Sequence, residues 1–567
     1  MKVWKSPADD PRTADLAQVS GLPLPIAAIL AARGLTDAAS IDRFLSPRLS
    51  DLTDPFSLLD MDVAVDRIWT AVRGGQRIAV YGDYDADGVT STALLTHVLR
   101  RIGADVKPFL PERVADGYGL TLHGLQRCID TCNPQLIVTV DCGSGSKEPI
   151  RVAAKAGIDV VVTDHHEIPD GHPGAVAFVN PKRQADECTR MLAGVGVVFK
   201  LCHALVKHGR ANAVSSVGPL DLRDYLEWVA LGTITDVVPL TGENRILARH
   251  GLQRFGSTSH PGLRALLAVA RAGPRVEAYH VAFLLGPRVN AAGRVGKADT
   301  ALELFLVEEP ALAESLARQL DAANQARKAA EDTILQAALD DVGAGFDASK
   351  QFGLVIGGDG WHRGVVGIVA ARLCKRFGRP AVVVGFDEDG IGHGSSRSID
   401  ELDLVRALQG CADLLSTFGG HRSAAGLVVD RARFDEFRQR FNAVCAAALE
   451  GIDLQPVQRI DAWLALTSLD RDFLHQLERL APFGEGNPAP VLGVRGVSIA
   501  SQPRVVGRDH LKLVLASGGR QIEAIGFDMG QRRLPEGPID VAFRLERNTY
   551  GGQDALRLNV QDLRPAQ

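Results

Sequence analysis

Three apolar runs in the first third of the chain each end in acidic residues, and this arrangement limits the fold more than any other feature. "RIAVYG" runs into "DYDADG" at Asp83, Asp85 and Asp87, "LIVTV" runs into Asp141, and "DVVVT" runs into Asp164, His165 and His166. Short, near-continuous Val/Ile/Leu runs read as strands buried on both faces, the signature of a parallel sheet covered by helices. The intervening "VTSTALLTHVLRRIG" and "EPIRVAAKAG" have apolar residues at helical spacing. In an open parallel sheet the carboxyl ends of the strands line one edge, and ligands bind there. The pattern therefore delivers carboxylates and imidazoles from three strands to one crevice. So many like charges repel unless a cation holds them. Oxygen-rich ligands with one or two imidazoles suit manganese or magnesium better than zinc.

Two other readings of "DYDADG" are weaker. An EF-hand calcium loop requires a bidentate carboxylate at its twelfth position, which here is Leu94 in an apolar helical stripe, and the preceding segment is a strand rather than a helix. An acidic turn that merely caps the next helix explains this stretch but not the convergence with Asp141 and the histidine pair. Asp236 in "WVALGTITDVVPL" follows an apolar helix, where an aspartate ordinarily caps or turns the chain. The glycines of "GGDGWHRGVVG" match neither GxGxxG nor the P-loop, so no ATP site is expected, although they suit a nucleic-acid backbone near a helix N-terminus. Trp361 and Tyr118 are candidates for base stacking, with core packing an equal alternative for each.

A chain of 567 residues exceeds a single core. The expected fold is α/β: a parallel-sheet domain plus a smaller α/β domain, joined by a long helix, with a C-terminal OB-like β-barrel. Residues 1–50 read as a helical cap broken by prolines, and 51–310 as the first α/β domain. Residues 311–348 contain the charged stretch "ALAESLARQLDAANQARKAAEDTILQAALDDV", without Pro or Gly, which reads as the connecting helix. Residues 349–454 form the second α/β unit. The last segment, 455–567, has five short β-like runs that fit an OB-like barrel with its linker.

Composition excludes several classes. No apolar run approaches a membrane span, and the N-terminus has no apolar core of a signal peptide, so neither is expected. Eight scattered cysteines without CxxC spacing read as free thiols of a reducing cytoplasm. Helical apolar spacing explains Cys202, His203 and His208 better than a zinc site does. A net charge of −5 argues against a simple basic coat for nucleic acid, but Pro490–Gln567 carries 11 Lys+Arg against 8 Asp+Glu, a mild local basic surface.

Ten motifs, in order over nearly the whole length, carry a family resemblance: "YGDYDADGVTST", "PERVADGYGL", "VDCGSG", "TDHH", "LGTITDVVPL", "LGPRVNAAGR", "GWHRGVVGIVAARL", "GSSRS", "FGGHRSAAG" and "APFGEGNPAP". The chain resembles the DHH phosphoesterase family, named for the triplet present here as Asp164-His165-His166, and within it the single-strand-specific exonucleases. One motif departs from the common "GTVAD", reading "GTITD" with the Asp retained. The resemblance implies two divalent ions, Mn2+ or Mg2+. Asp85 and Asp141 would hold one, with Asp83 beside it; Asp87, Asp141, His165 and Asp236 would hold the other; His166 would face the scissile phosphate. Arg113, Arg288, Ser395 and Arg397 would recognise a terminal 5′-phosphate, and His421 would reach the cleft between domains. The implied activity is 5′→3′ hydrolysis of single-stranded DNA to 5′-mononucleotides in repair and recombination. The protein would be a cytoplasmic monomer working with a single-strand-binding protein and a helicase. A DHH phosphatase acting on short oligonucleotides or nucleotides is disfavoured by the chain's length and barrel. An inactive DHH replication scaffold is disfavoured because every candidate ligand is present.

Overall fold

The computed structural model describes residues 2–566 apart from 9, 113–115, 118, 170, 185, 296, 344–345 and 549–554. The first α/β domain is built on five parallel strands in the order Val106–Phe109, Ile78–Tyr81, Leu136–Val140, Asp159–Thr163, Ala177–Val179. Alternate residues face opposite layers: Ile78, Val80, Leu136 and Val138 join one buried cluster, while Ala79, Tyr81 and Ile137 join the other. Both faces are covered, which is why these strands are apolar throughout rather than alternating. From Ile78–Tyr81 the chain passes to one neighbour, Val106–Phe109, and returns on the other side at Leu136–Val140. The loops after Tyr81 and Val140 therefore diverge and open a crevice at this switch point.

The connecting helix spans Pro310–Gly343, 34 residues, or about 50 Å at 1.5 Å per residue. Its first half buries Ala313, Leu316 and Leu320 in the first domain; its second half buries Ile334, Ala338 and Val342 in the second domain's core. Between them, buried Arg327 pairs with Glu331, which also meets Arg372 of the second domain at 2.7 Å. The second domain holds a mixed sheet in the order Thr417–Gly420, Ala424–Asp430, Ile391–Arg397, Ala381–Phe386, Leu354–Asp359, in which the last two strands alone are parallel.

The expected barrel is present. Leu492–Ile499 pairs with both His510–Ser517 and Ile539–Asn548. His510–Ser517 pairs with Arg520–Gly526, that strand pairs in parallel with Ala555–Pro565, and Ala555–Pro565 returns to Ile539–Asn548. Each of the five strands pairs with two others of the five, so the sheet curls into a ring with OB topology.

Residues 1–50 are not a separate cap. Val3–Lys5 pairs in parallel with Val457–Arg459, and Leu16, Ile26, Leu30, Ile41 and Leu45 share one core with the barrel strands. Trp4 Nε1 donates to Asp562 Oδ2 at 2.7 Å, across 558 positions of sequence. Buried Arg245 clamps this unit to the first domain: Nε donates to the carbonyl of Phe44 (2.8 Å), Nη2 to that of Ala481 (2.9 Å), and the guanidinium lies 3.6 Å from the Phe44 ring centroid. The eight cysteines are all free, seven of them buried. Among the described residues no single helix is long and apolar enough to cross a membrane. Replacing Arg245 by Ala leaves the Phe44 carbonyl without this donor, leaves that of Ala481 to Arg249 alone and removes the ring contact, so a loss of about 1–3 kcal/mol is expected. It would be read from the urea midpoint, with faster proteolytic release of the barrel; an unchanged midpoint would contradict the clamp.

Candidate metal centre

The crevice is assembled from the strand ends. Asp83, two residues beyond Tyr81, is buried, and its Oδ1 accepts the Tyr84 N–H at 2.7 Å. Asp85 caps the helix Ala86–Arg101, accepting the N–H groups of Asp87 and Gly88 at 3.0 Å each. Asp87 stands in that helix's first turn, and its carboxylate accepts from Gly194 (2.7 Å) and Val195 (2.9 Å) at the start of the helix Gly194–Ala211. Position 194 admits only glycine, because a Cβ there would lie 2.4 Å from Asp141 Oδ1. Asp141 itself has φ 62, a left-handed conformation that bends the strand end into the crevice. Such strain in a non-glycine residue concentrates at functional sites.

Asp164 differs from the expectation that its carboxylate joins this edge. Its Oδ2 accepts the Ser144 N–H (2.8 Å), and its Oδ1 accepts from the backbone of His165 (2.7 Å) and His166 (3.1 Å) and lies 2.8 Å from His166 Nδ1. With four hydrogen bonds it fixes the loop and aims His166 rather than offering a ligand. Two asparagines that sequence reasoning passed over help it: Asn180 Nδ2 donates to Ser144 Oγ and the His166 carbonyl, and Asn290 Oδ1 accepts the Ala86 N–H. Asn290 stands in "LGPRVNAAGR", where the motif was the available signal.

His165 Nε2 lies 3.1 Å from Asp141 Oδ1, 3.5 Å from Asp236 Oδ2 and 3.9 Å from Asp87 Oδ2. Two overlapping donor groups result, Asp141–His165–His166 and Asp87–His165–Asp236, each with its donor atoms within 4.8 Å of one another. Asp141 Oδ1, His165 Nε2 and Asp236 Oδ2 are buried without a hydrogen-bond partner. Each such atom costs about 1–3 kcal/mol when left bare. Three facing one small volume fit a divalent cation, and the mixed oxygen and imidazole donors fit manganese or magnesium. Asp83 and Asp85 fall outside both groups but lie close enough for their charges to raise Asp141.

Burial first, then mutual repulsion, pushes the acids upward: Asp87 to about 7, with Asp85 the main repelling charge, Asp236 to about 9, and Asp141 well above the carboxylate range. Burial and the charge of His166 push His165 down to about 3. For His166 burial works downward, but the bond to Asp164 prevails and lifts it to about 9. The folded state thus holds carboxyl protons that the unfolded chain releases near pH 4. Stability without metal should fall as pH rises from about 4 towards 9, and a cation that replaces those protons should flatten the slope. In EDTA, Tm is expected to drop between pH 5 and pH 9, and Mn2+ should raise it more at pH 8 than at pH 5. An equal increment at both values would contradict the arrangement.

The remaining predicted residues divide. Ser395 and Arg397, two apart on Ile391–Arg397, share a face, with Arg397 Nη1 donating to Ser395 Oγ at 3.2 Å. A Cβ on Gly367 would come within 2.9 Å of Ser395 Oγ and 3.4 Å of Arg397 Nη2, so both side chains lie on the first turn of the helix Val366–Phe377. Guanidinium, hydroxyl and the positive end of a helix dipole make an anion-binding combination. His421 is exposed in the turn after Thr417–Gly420. Arg288 is engaged elsewhere: Nε meets Asp321 Oδ1 at 2.8 Å and Nη1 donates to the Leu284 carbonyl, tying the helix Gly286–Val295 to the connecting helix. The Trp361 ring packs on Gly358 and the second domain's core, which favours packing over stacking. Arg113 and Tyr118 lie outside the described residues.

Comparison with known proteins agrees with this architecture. Residues 77–233 match the DHH family N-terminal domain, 349–447 the DHHA1 domain, and 460–562 the RecJ OB domain. The single-stranded-DNA-specific exonuclease RecJ of Salmonella typhimurium is 35% identical over 96% of this chain and 96% of its own length. Its namesake from Bacillus subtilis is 36% identical over 95% of this chain and 67% of its own. The crystal structure of RecJ from Thermus thermophilus in complex with Mn2+ superposes with a TM-score of 0.84 at 30% identity, covering all of this chain and 80% of that one. The same protein with Mg2+ gives 0.78, again at 30% identity, covering all of this chain and 79% of that one. Three domain matches in the observed order, with identity extending through the linkers, show that the chain belongs to the RecJ family of DHH proteins.

Proposed function

We propose that this chain is a single-stranded-DNA-specific 5′→3′ exonuclease that releases 5′-mononucleotides by two-metal-ion hydrolysis, in DNA repair and recombination. The observation that carries the reading is the trio of buried, unpartnered donor atoms on Asp141, His165 and Asp236, with the Ser395–Arg397 cluster on the second domain beside it in support. Its relatives named as RecJ exonucleases, and the crystal structures of one of them with Mn2+ and Mg2+, support it.

Asp85 and Asp141, with Asp83 beside them, would hold one ion; Asp87, Asp141, His165 and Asp236 would hold the other. When bound, such ions lower the pKa of water and stabilise a leaving oxygen. The chain's own groups do the rest. His166, kept protonated by Asp164, donates to an oxygen of the scissile phosphate. Ser395, Arg397 and the start of the helix Val366–Phe377 grip the terminal 5′-phosphate, with Arg113 added on the strength of its motif. His421 approaches the same cleft from the second domain. Arg288 serves through its tie to Asp321 rather than as a direct phosphate ligand. The barrel, with its surplus of basic residues, carries the strand. Eight free thiols suit a reducing cytoplasm. A monomer that works beside a single-strand-binding protein and a helicase follows from the family alone.

A 5′-phosphorylated strand labelled at its 3′ end should shorten stepwise in Mn2+, and should stay intact in EDTA or with Asp141→Ala. Hydrolysis confined to dinucleotides or free nucleotides would instead assign a phosphatase. Arg397→Ala should lower kcat/KM on 5′-phosphorylated ends by tenfold or more while sparing 5′-hydroxyl ends. Equal losses on both ends would remove the pocket from the mechanism.

A further inference from the structure

Tyr279 and Phe283 are each 62% exposed, and their rings lie 4.9 Å apart at an interplanar angle of 33°. A single exposed apolar side chain is ordinary, whereas two neighbouring rings on one helical face are a surface awaiting contact. They sit at the start of a continuous helical run: Ala278–His280, then a wider π turn over Val281–Leu285, then Gly286–Val295. π turns of this kind recur at functional sites.

Beyond the π turn the same helical run carries Asn290 and Arg294, four residues apart, and its far end closes on the metal centre. Asn290 Oδ1 accepts the Ala86 N–H at the start of the helix that bears Asp87. Arg294 Nη1 donates to the Gly364 carbonyl of the second domain at 3.1 Å. Between rings and centre, a Cβ on Gly286 would fall 2.1 Å from Thr235 Cγ2, which places this turn against the neighbour of Asp236. Val237, directly after Asp236, is 65% exposed with φ 63 and adds an apolar side chain next to that ligand. At the near end, Arg275 comes within 3.8 Å of Glu478, which is also 3.4 Å from Arg547 on a barrel strand. The run therefore leads from the barrel to the metal edge. Phe283 and Asn290 are about 10 Å apart along the helix, roughly three nucleotides at 3.4 Å each.

We propose that Tyr279 and Phe283 form a stacking step on which bases of the single strand rest between the barrel and the metal centre, an inference that depends on the exonuclease reading above. The occupant follows from continuity: the same helical run ends at the groups that would act on the strand. Every base has a π face, so an aromatic step holds a strand of any sequence, which suits removal of one nucleotide after another.

The test uses the full-length Tyr279→Ala/Phe283→Ala variant and a 5′-phosphorylated 20-nucleotide strand in EDTA, with binding read by fluorescence anisotropy. Binding should weaken by about tenfold or more, while Phe283→Trp keeps it. A single abasic position moved along the strand should weaken wild-type binding at a few positions near the 5′ end and leave the double variant indifferent. In Mn2+ the loss of kcat/KM should be larger on the long strand than on a dinucleotide. An unchanged Tm increment with Mn2+ shows that the variant is folded and loaded. Equal affinity of variant and wild type overturns the step and makes these rings a protein-docking surface. So does an abasic profile that persists in the variant. If wild type leaves the strand intact in Mn2+, the exonuclease reading itself fails; if it degrades the strand and the variant binds equally, the stacking step alone fails.

Discussion

Asp87, Asp141 and Asp236 are gathered around a single imidazole at distances of 3.1–3.9 Å, the first two buried and the third only partly exposed. The repulsion among them is the constraint around which the molecule is organised. Charges at that spacing in a low dielectric separate, take up protons or bind a cation. The fold forbids separation. Asp87 is tethered by two backbone N–H groups, Asp141 is fixed by a strained strand end, and glycine at 194 lets a helix close against it. The site is thus preorganised at a cost in stability that a metal ion can return.

The same constraint explains the division of labour in the histidine pair. His165 is stripped of water and kept neutral, the form that can act as a ligand, whereas His166 is bonded to Asp164 and kept charged. Asp164 separates the two roles by facing away from the crevice, into the backbone of its own loop. One turn of chain thereby holds a neutral and a charged imidazole side by side.

The second domain and the barrel address a problem the metal edge cannot solve alone, which is where on a long strand hydrolysis occurs. Ser395 and Arg397 set against a helix start are the groups proposed to read the strand end, and the connecting helix ties their domain to the first by burying one half in each. The clamp of Arg245 on Phe44 and Ala481 holds the joined N- and C-terminal segments against the first domain. Chain ends far apart in sequence thus share one core.

The sequence by itself determined the local features. Apolar runs ending in Asp83, Asp141 and Asp164 declared a parallel sheet and its ligand edge, because strand burial and strand ends are written residue by residue. The connecting helix and the five barrel strands were legible for the same reason. Only the tertiary structure decided the outcomes set by contacts between distant segments. Asp164 counted among the acids of the ligand edge until Ser144 and His166 were seen to occupy its oxygens. Arg288 stood as a phosphate candidate on its motif alone, and the fold sets Asp321 beside it. Residues 1–50 looked independent until Trp4 met Asp562. Periodicity reports which side of an element is buried; it carries no record of the partner, and in these three cases the partner fixed the role.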